Sequence, residues 1–215
     1  MSIFANTFLL VYAALFPIVN PIGSAPLFLG MTRYASDDAR HVLARKVSIN
    51  SVFLLLGSLF VGSHLLEFFG ISLPVLRIAG GLVVSAFGWK LLNSDARPDG
   101  EPSHPVSAEP ESFYPLTMPL TVGPGSMSVA ITLGSQRPMY TGWADFVLLG
   151  SAAVAGILAI ALSVYLCYRF AETIVAKLGS TGTNVVVRLS AFILLCIGIQ
   201  ILWGGLSTLI GTVHH

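Results

Sequence analysis

The sequence predicts an all-α, polytopic membrane protein that crosses the bilayer six times. Only 10% of its 215 residues are charged and 54% are apolar, whereas a soluble domain carries about 25% charged residues. Five windows contain no Lys, Arg, Asp, Glu or His: 1–32, 47–63, 112–136, 146–168 and 189–213. A membrane-spanning helix needs about 20 mainly apolar residues. Much of the folded surface must therefore face lipid.

Six spans follow from these windows, at residues 3–31, 45–66, 71–92, 114–135, 143–168 and 185–210. The third is apolar apart from Arg77 and Lys90. The first lacks the basic leader and small-residue cleavage site of a signal peptide, so we interpret it as a span. Cys167 and Cys196 both fall inside predicted spans, and no disulfide is expected.

Residues 94–111 predict a mobile, water-exposed linker on the cytoplasmic side. This stretch holds four prolines and five acidic residues without apolar periodicity, a composition that does not form a packed element. It divides the chain into a first three-helix unit, residues 1–93, and a second, residues 112–215.

The distribution of basic residues predicts the orientation. Three connections share an excess of Lys and Arg and should be cytoplasmic: Arg33, Arg40, Arg45 and Lys46; Lys90 and Arg97; Arg169, Lys177 and Arg188. The opposite side has only Arg77 and Arg137. Both termini should then face outward, and the two three-helix units should be inverted relative to one another.

The two units also resemble each other in sequence. FPIVNPIGS (16–24) aligns without gaps on MPLTVGPGS (118–126), and LRIAGGLVV from Leu76 aligns with VRLSAFILL from Val187. Matches at corresponding places in two three-span units predict an inverted-topology repeat. Gly80, Gly81 and Gly88 in the third span predict a face of close helix packing.

The first span of each unit should be broken. Residues 17–26 hold three prolines and a glycine, and residues 115–126 hold the same kind of motif. Proline removes a helix hydrogen bond and restricts the preceding residue, and irregular backbone in a bilayer is tolerated only inside protein or beside a polar cavity. The alternative is that these prolines only kink two helices for packing.

The breaks are the predicted binding site, because a half-helix N-terminus attracts an anionic group. Ser24 and Ser126 are suitable N-cap residues, and small polar groups surround them. The candidate substrate-binding residues at the breaks are Asn20, Pro21, Gly23, Ser24, Thr121, Gly123, Pro124, Gly125, Ser126 and Ser128. Arg77 and Arg188 are further candidates that would line the transport path, although both lie close enough to span ends to snorkel. Asn50 and Gln200 are polar residues within spans that could hydrogen-bond between helices.

Three segments together resemble the MarC family of six-span inner-membrane proteins: NPIGSAPLFLGMT, FGISLPVLRIAGGLVVSAFGWKLL and YPLTMPLTVGPGSMSVAITLG. The resemblance covers essentially the whole chain, with the linker least alike. Asn20, Pro21 and Gly23 match the family's Asn-Pro-x-Gly signature, and residues 123–125 match its Gly-Pro-Gly signature. The family is also classed as a neutral amino-acid transporter family related to the lysine-exporter superfamily. The resemblance therefore implies transport of a small neutral amino acid, such as glycine or alanine, across the inner membrane.

We therefore expect a secondary transporter with a small-molecule substrate, embedded in the lipid bilayer and without a nucleic-acid partner. A passive channel for small solutes and a structural or regulatory membrane protein without flux remain alternatives. We expect no enzymatic activity, because no histidine lies mid-span and no metalloprotease motif is present. No cofactor or metal is expected. The coupling ion (H⁺ or Na⁺), the direction of transport and homo-oligomerisation are left open.

Overall fold

The computed structural model describes residues 2–93, 111–136 and 142–213, and these ranges are mostly α-helical. The helices are α1 (Ile3–Val19), α2 (Pro21–Met31), α3 (Asp37–Phe68), α4 (Leu73–Asn93), α5 (Pro124–Ser135), α6 (Trp143–Arg169) and α7 (Ala171–Val213). Within the described ranges, five stretches are long and apolar enough to cross a membrane: Ile3–Met31, Asp37–Phe68, Leu73–Asn93, Asp145–Arg169 and Ala171–Gly211. The predicted all-α membrane class is confirmed.

The fourth predicted span, 114–135, is not a continuous helix and is the one that the five long stretches do not include. It consists of a π-helical turn (Leu116–Thr121), a two-residue interruption and the 12-residue helix α5. The motif at 115–126 interrupts the helical hydrogen bonds near its start, so neither piece has the length of a straight crossing. The apolar window located the segment, and the interruption that the proline motif at 115–126 predicted is confirmed.

Two helices extend beyond their predicted spans. α3 begins at Asp37 rather than 45, because Ser36 caps it by accepting a hydrogen bond from the Ala39 amide at 3.3 Å. Asp37 and Asp38 occupy its first turn, where negative charge is favourable. α7 begins at Ala171 rather than 185, with an interruption at Gly179, whose φ is 67°. An apolar window detects only the part of a helix that lies within the bilayer. It therefore misses the polar turns that extend beyond the bilayer.

Some predictions lie outside the described residues. These are the linker from residue 94 to 110, Arg97 on the side predicted to be cytoplasmic, and Arg137 on the opposite side.

α4 and α7 pack antiparallel through their glycines. A Cβ built on Gly81 would lie 2.5 Å from the Leu202 backbone nitrogen, and one built on Gly88 would lie 2.7 Å from that of Leu195. Gly80 faces Ser128 of α5, whose Oγ would lie 2.3 Å from an added Cβ. The close-packing face predicted for α4 is therefore confirmed, and it brings two long helices of opposite halves together.

The remaining helices surround the two broken segments. The Ser48 hydroxyl of α3 donates to the Ala161 carbonyl of α6 at 2.7 Å, and Tyr12 of α1 hydrogen-bonds Ser163 of α6 at 3.1 Å. α5 lies against α3, where a Cβ on Gly134 would lie 1.9 Å from the Leu59 carbonyl oxygen. The main apolar core fills the space between these helices.

A buried arginine joins the two halves at one end of the helices. Arg40 is 8% exposed and pairs with Asp37 at 3.1 Å and with Glu172 at the start of α7. Its other terminal nitrogen donates to the backbone carbonyls of Thr32 and Ala35. The connection after α2 and the connection after α6, both predicted to be cytoplasmic, therefore lie at the same end.

Replacing Gly81 by Ala should destabilise the protein by more than about 2 kcal/mol, because the new methyl group meets backbone rather than a movable side chain. Gly57 of α3 is the matched control, since a Cβ there meets nothing within 4 Å. Gly57→Ala should be neutral, or stabilising by up to about 1 kcal/mol. Thermal unfolding in detergent compares the two. Equal midpoints would contradict the close approach of α4 and α7.

Candidate functional site

The first break lies at Asn20, between α1 and α2. Asn20 has φ 48° and ψ 56°, a left-handed conformation that asparagine tolerates better than most residues. Its Oδ1 accepts a hydrogen bond from the Gly23 amide at 3.2 Å. Pro21, which has no N–H to leave unsatisfied, occupies the first helical position of α2. The Asn-Pro pair therefore ends one helix and starts the next.

The second break is built differently. Val122 has extended backbone (φ −118°, ψ 93°), and its amide donates to the Thr117 carbonyl at 2.8 Å. Gly123 precedes α5 as its N-cap, and no side chain caps this helix. Val122 stands at the position that Asn20 holds in the first half and cannot accept a hydrogen bond through its side chain. The N-terminus of α5 therefore keeps amides without a side-chain partner.

The prediction that Ser24 and Ser126 are the N-caps is wrong. The caps are Asn20 and Gly123, and each serine lies in the first turn that follows. The Ser126 hydroxyl donates back to the Gly123 carbonyl at 2.9 Å. The prolines explain the difference. Proline is favoured at the first helical position, so the cap is the residue directly before Pro21 in α2 and directly before Pro124 in α5.

Each break packs through its glycine against a long helix of the other half. A Cβ built on Gly23 would lie 2.6 Å from the Ser190 Cβ of α7, and one on Gly125 would lie 1.9 Å from the Val84 Cγ2 of α4. Any larger side chain would push the broken segment away from its neighbour.

Tyr168 of α6 links the two breaks. Its side chain is fully buried, and its hydroxyl lies 2.7 Å from the Thr121 Oγ1 of the second break. Ser24 of α2 lies close to the same hydroxyl group. Its ring stacks on Phe28 of α2 with centroids 4.3 Å apart. Sequence reasoning missed this residue, and the only signal for it was a tyrosine hydroxyl near the end of an apolar window.

The protons of this cluster have one arrangement that satisfies every member. Thr121 Oγ1 lies 2.8 Å from the Leu116 carbonyl oxygen, which can only accept. Thr121 therefore donates its single proton to Leu116 and accepts a hydrogen bond from Tyr168. The result is a directed chain that runs from the Tyr168 hydroxyl through Thr121 to a backbone carbonyl of the π-helical turn.

A cavity of about 60 Å³ lies beside the second break. Its walls combine the interrupted backbone with apolar side chains from three helices: Pro119, Leu120, Thr121, Gly123, Pro124, Gly125 and Ser126, with Ile18 of α1, Val83, Val84 and Phe87 of α4, and Leu194 of α7. This volume has room for a few water-sized groups. The uncapped start of α5 forms part of the wall.

Only some of the predicted site residues line the cavity. Five of the twelve line it: Thr121, Gly123, Pro124, Gly125 and Ser126. The four candidates at the first break do not line the cavity: Asn20, Pro21, Gly23 and Ser24. The residue from this region that does line it is Ile18, two positions before Asn20. Ser128 is buried against Gly80 outside the cavity wall. Arg77 is half-buried in α4 and Arg188 is exposed on α7, and neither lines the cavity.

Asn50 is the other polar residue that reaches a break. Its side-chain nitrogen donates to the Thr117 Oγ1 at 3.3 Å, and Thr117 donates to the Ser112 carbonyl at 2.6 Å. Asn50 therefore makes the kind of interhelical hydrogen bond predicted for it. In the parts of the chain that the structure describes, no three His, Cys, Asp or Glu residues come together as a metal site.

Comparison with known proteins gives the family. The model of the "MarC family integral membrane protein" matches residues 5–210. This chain belongs to the MarC family. It is 32% identical over 204 residues to a UPF0056 membrane protein of Buchnera aphidicola, covering 95% of this chain and 93% of that protein. A UPF0056 membrane protein of Pyrococcus abyssi is 32% identical over 207 residues, with 96% and 97% covered.

The inner membrane protein MarC of Salmonella typhimurium is 30% identical over 208 residues, covering 93% of this chain and 94% of that protein. No solved structure matches the chain. Family membership and the apolar helices together make this MarC-family chain a multi-pass integral protein of the inner membrane. The family name and the relatives' names state no substrate.

Tyr168→Phe should lower stability by about 1–3 kcal/mol, because the ring stack survives but the buried Thr121 hydroxyl loses its donor. Tyr12→Phe is the matched control: it also removes a hydroxyl bond, at 3.1 Å to Ser163, in a half-buried site away from both breaks. Tyr12→Phe should lower the free energy of unfolding by less than about 1 kcal/mol. Thermal unfolding of both variants measures the difference, and a Tyr12 effect as large as the Tyr168 effect would contradict the special role of Tyr168.

Proposed function

We propose that this protein is a secondary transporter that moves a small neutral solute, an amino acid sized like glycine or alanine, across the inner membrane by alternating access. The observation that carries the proposal is the cavity between the two halves, whose wall includes the uncapped N-terminus of α5. Interrupted helices beside an internal cavity are the usual means by which transporters hold a solute within the bilayer.

The arrangement of the breaks supports an inverted repeat. Gly23 of the first half lies against α7 of the second, and Gly125 of the second half lies against α4 of the first. The sequence alignment of the halves pairs Ile18 with Leu120 and Val83 with Leu194, and all four residues line the cavity. The cavity therefore draws equivalent residues from both halves, as a site on a pseudo-two-fold axis would. With both termini outward, the two halves would have opposite orientations.

The two helix starts differ, and the difference supports recognition of an anionic group at one of them. At α2, the Asn20 side chain already accepts the hydrogen bond of the Gly23 amide. At α5, the Gly125 and Ser126 amides lie in the first turn of the helix, which has no side-chain cap. Free amides and the helix dipole favour a carboxylate. An amino acid would place its carboxylate at α5 and its small side chain among the apolar walls.

The cavity dimensions favour a small solute. The space of about 60 Å³ beside Val84, Phe87 and Leu194 matches a few water-sized groups, which is the scale of a small amino acid. Movement of one half against the other around the breaks would expose the cavity to each side in turn. The breaks are suitable hinges, because a few residues there already depart from helical geometry.

Flux of labelled glycine and alanine into proteoliposomes tests the proposal, with and without proton or sodium gradients. We expect saturable uptake that unlabelled glycine inhibits and that glycinamide, which lacks the carboxylate, inhibits at least tenfold more weakly. Leucine should not compete, because the cavity is too small for it. Absence of flux for every small amino acid under every gradient would refute the transport proposal.

Gly123→Asp should abolish this transport while leaving the protein folded. Gly123 has φ −95° and ψ 178°, which any residue can adopt at an N-cap, and an added Cβ would lie 3.3 Å from the Pro119 carbonyl oxygen, a tight but adjustable contact. The aspartate would cap α5 and place its own charge where a carboxylate should bind. Gly123→Asn is the control, which caps without charge and should lose less activity. Equal flux in Gly123→Asp and the unmodified protein would place anion recognition elsewhere.

A further inference from the structure

Gln200 lies near the middle of the membrane depth. α4 has 21 residues and at 1.5 Å per residue is just long enough to cross the hydrocarbon core. Ser85 lies close to its midpoint and opposite Gly198 of α7, since a Cβ built on Gly198 would lie 2.5 Å from the Ser85 nitrogen. Gln200 follows Gly198 by two residues. It is therefore within about 3 Å of that level along the helix axis.

The Gln200 side chain is on the outer surface of α7. Gly198 and Gly205 face α4, whereas Gln200 is exposed, as are Cys196 and Trp203 on the same side. Within the described ranges, no hydrogen bond reaches its amide. A glutamine side chain is too short to bring its amide from mid-depth to the membrane surface, in contrast to lysine or arginine near a helix end.

This exposure is unfavourable against lipid alone. A primary amide has two N–H donors and one oxygen acceptor, and hydrocarbon offers partners for neither. Transferring such a group from water to hydrocarbon without hydrogen bonds costs several kcal/mol. Polar side chains at this depth normally hydrogen-bond to another helix. Another protein segment should therefore cover this surface.

The surroundings of Gln200 allow another helix to approach closely. A Cβ built on Gly204 or on Gly211 would meet nothing within 4 Å. Cys196 and Ser207 are small exposed residues on the same side of the helix, and the larger Trp203 lies toward the edge of this face. Small side chains beside a polar group let two helix backbones approach to hydrogen-bonding range in a bilayer.

The partner that fits is a second copy of this chain. Copies inserted with one orientation hold Gln200 at the same depth, so a two-fold axis along the membrane normal brings Gln200 to Gln200. The amide is self-complementary, because each copy both donates and accepts. A different protein would have to supply its own polar group at this level. We propose that the outer face of α7 around Gln200 is a homodimer interface, held by reciprocal hydrogen bonds between the two Gln200 amides.

The dimerisation equilibrium of the purified full chain in lipid vesicles tests this, measured by single-molecule fluorescence at decreasing protein-to-lipid ratios. Gln200→Leu should weaken association about three- to tenfold, the range of interhelical hydrogen bonds in bilayers. Gln200→Asn, which keeps the amide, should retain most of it. Leu162→Ala on the exposed face of α6 is the matched control and should change nothing. Thermal unfolding verifies that each variant folds.

Oxidative cross-linking in native membranes gives a second readout through Cys196, one turn from Gln200. In a Cys167→Ser background, we expect a disulfide-linked dimer that Gln200→Leu reduces. A monomer at every density, or a dimer that Gln200→Leu leaves unchanged, would overturn the proposal. Cross-linking of Cys196 only to a different protein would also overturn it. None of these outcomes depends on solute flux, so the interface and the transport function succeed or fail separately.

Discussion

The structure is organised by one constraint: a bilayer cannot hydrogen-bond the backbone groups that an interrupted helix leaves free. Prolines at both breaks remove helix hydrogen bonds, and the surrounding residues compensate for them. Asn20 caps α2 with its side chain, and Thr121 donates to the Leu116 carbonyl in the π-helical turn. Tyr168 then satisfies Thr121, which requires α6 to lie directly against both breaks. The packing of α6 therefore follows from the chemistry of the interruptions.

The compensation is incomplete at one place, and this is where the cavity lies. α2 starts with a side-chain cap, whereas α5 starts at Gly123 without one and forms part of the cavity wall. A glycine N-cap is less stable than a side-chain cap by only about a few tenths of a kcal/mol. The protein leaves the first amides of α5 without a side-chain partner beside a cavity lined by small and apolar residues. That pairing favours a binding role over kinks that serve packing alone.

Much of the fold could be predicted from the sequence, because its main determinants are local. Charge-free windows identify the helices, prolines identify the interruptions, and Gly81 and Gly88 identify a close-packing face on α4, although not α7 as its partner. The exact caps could not be predicted, since Asn20 and Ser24 are both good cap residues and the position of Pro21 decides between them. Tyr168 could not be predicted either, because its role depends on two segments that are distant in sequence. Gln200 was recognised as polar, but only the fold reveals that it faces outward.

The central claim is that the two breaks form one unit through Tyr168, whose ring stacks on Phe28 of α2 and whose hydroxyl bonds Thr121 of the second break. Hydrogen exchange of the protein in lipid nanodiscs, followed by mass spectrometry, tests it most directly. Phe28→Leu alters only α2 beside the first break, yet it should increase amide exchange across residues 116–127 of the second break as well. In a Tyr168→Phe background, where the hydrogen bond to Thr121 is already lost, it should add nothing there. An increase confined to the first break in the unmodified background would contradict the claim.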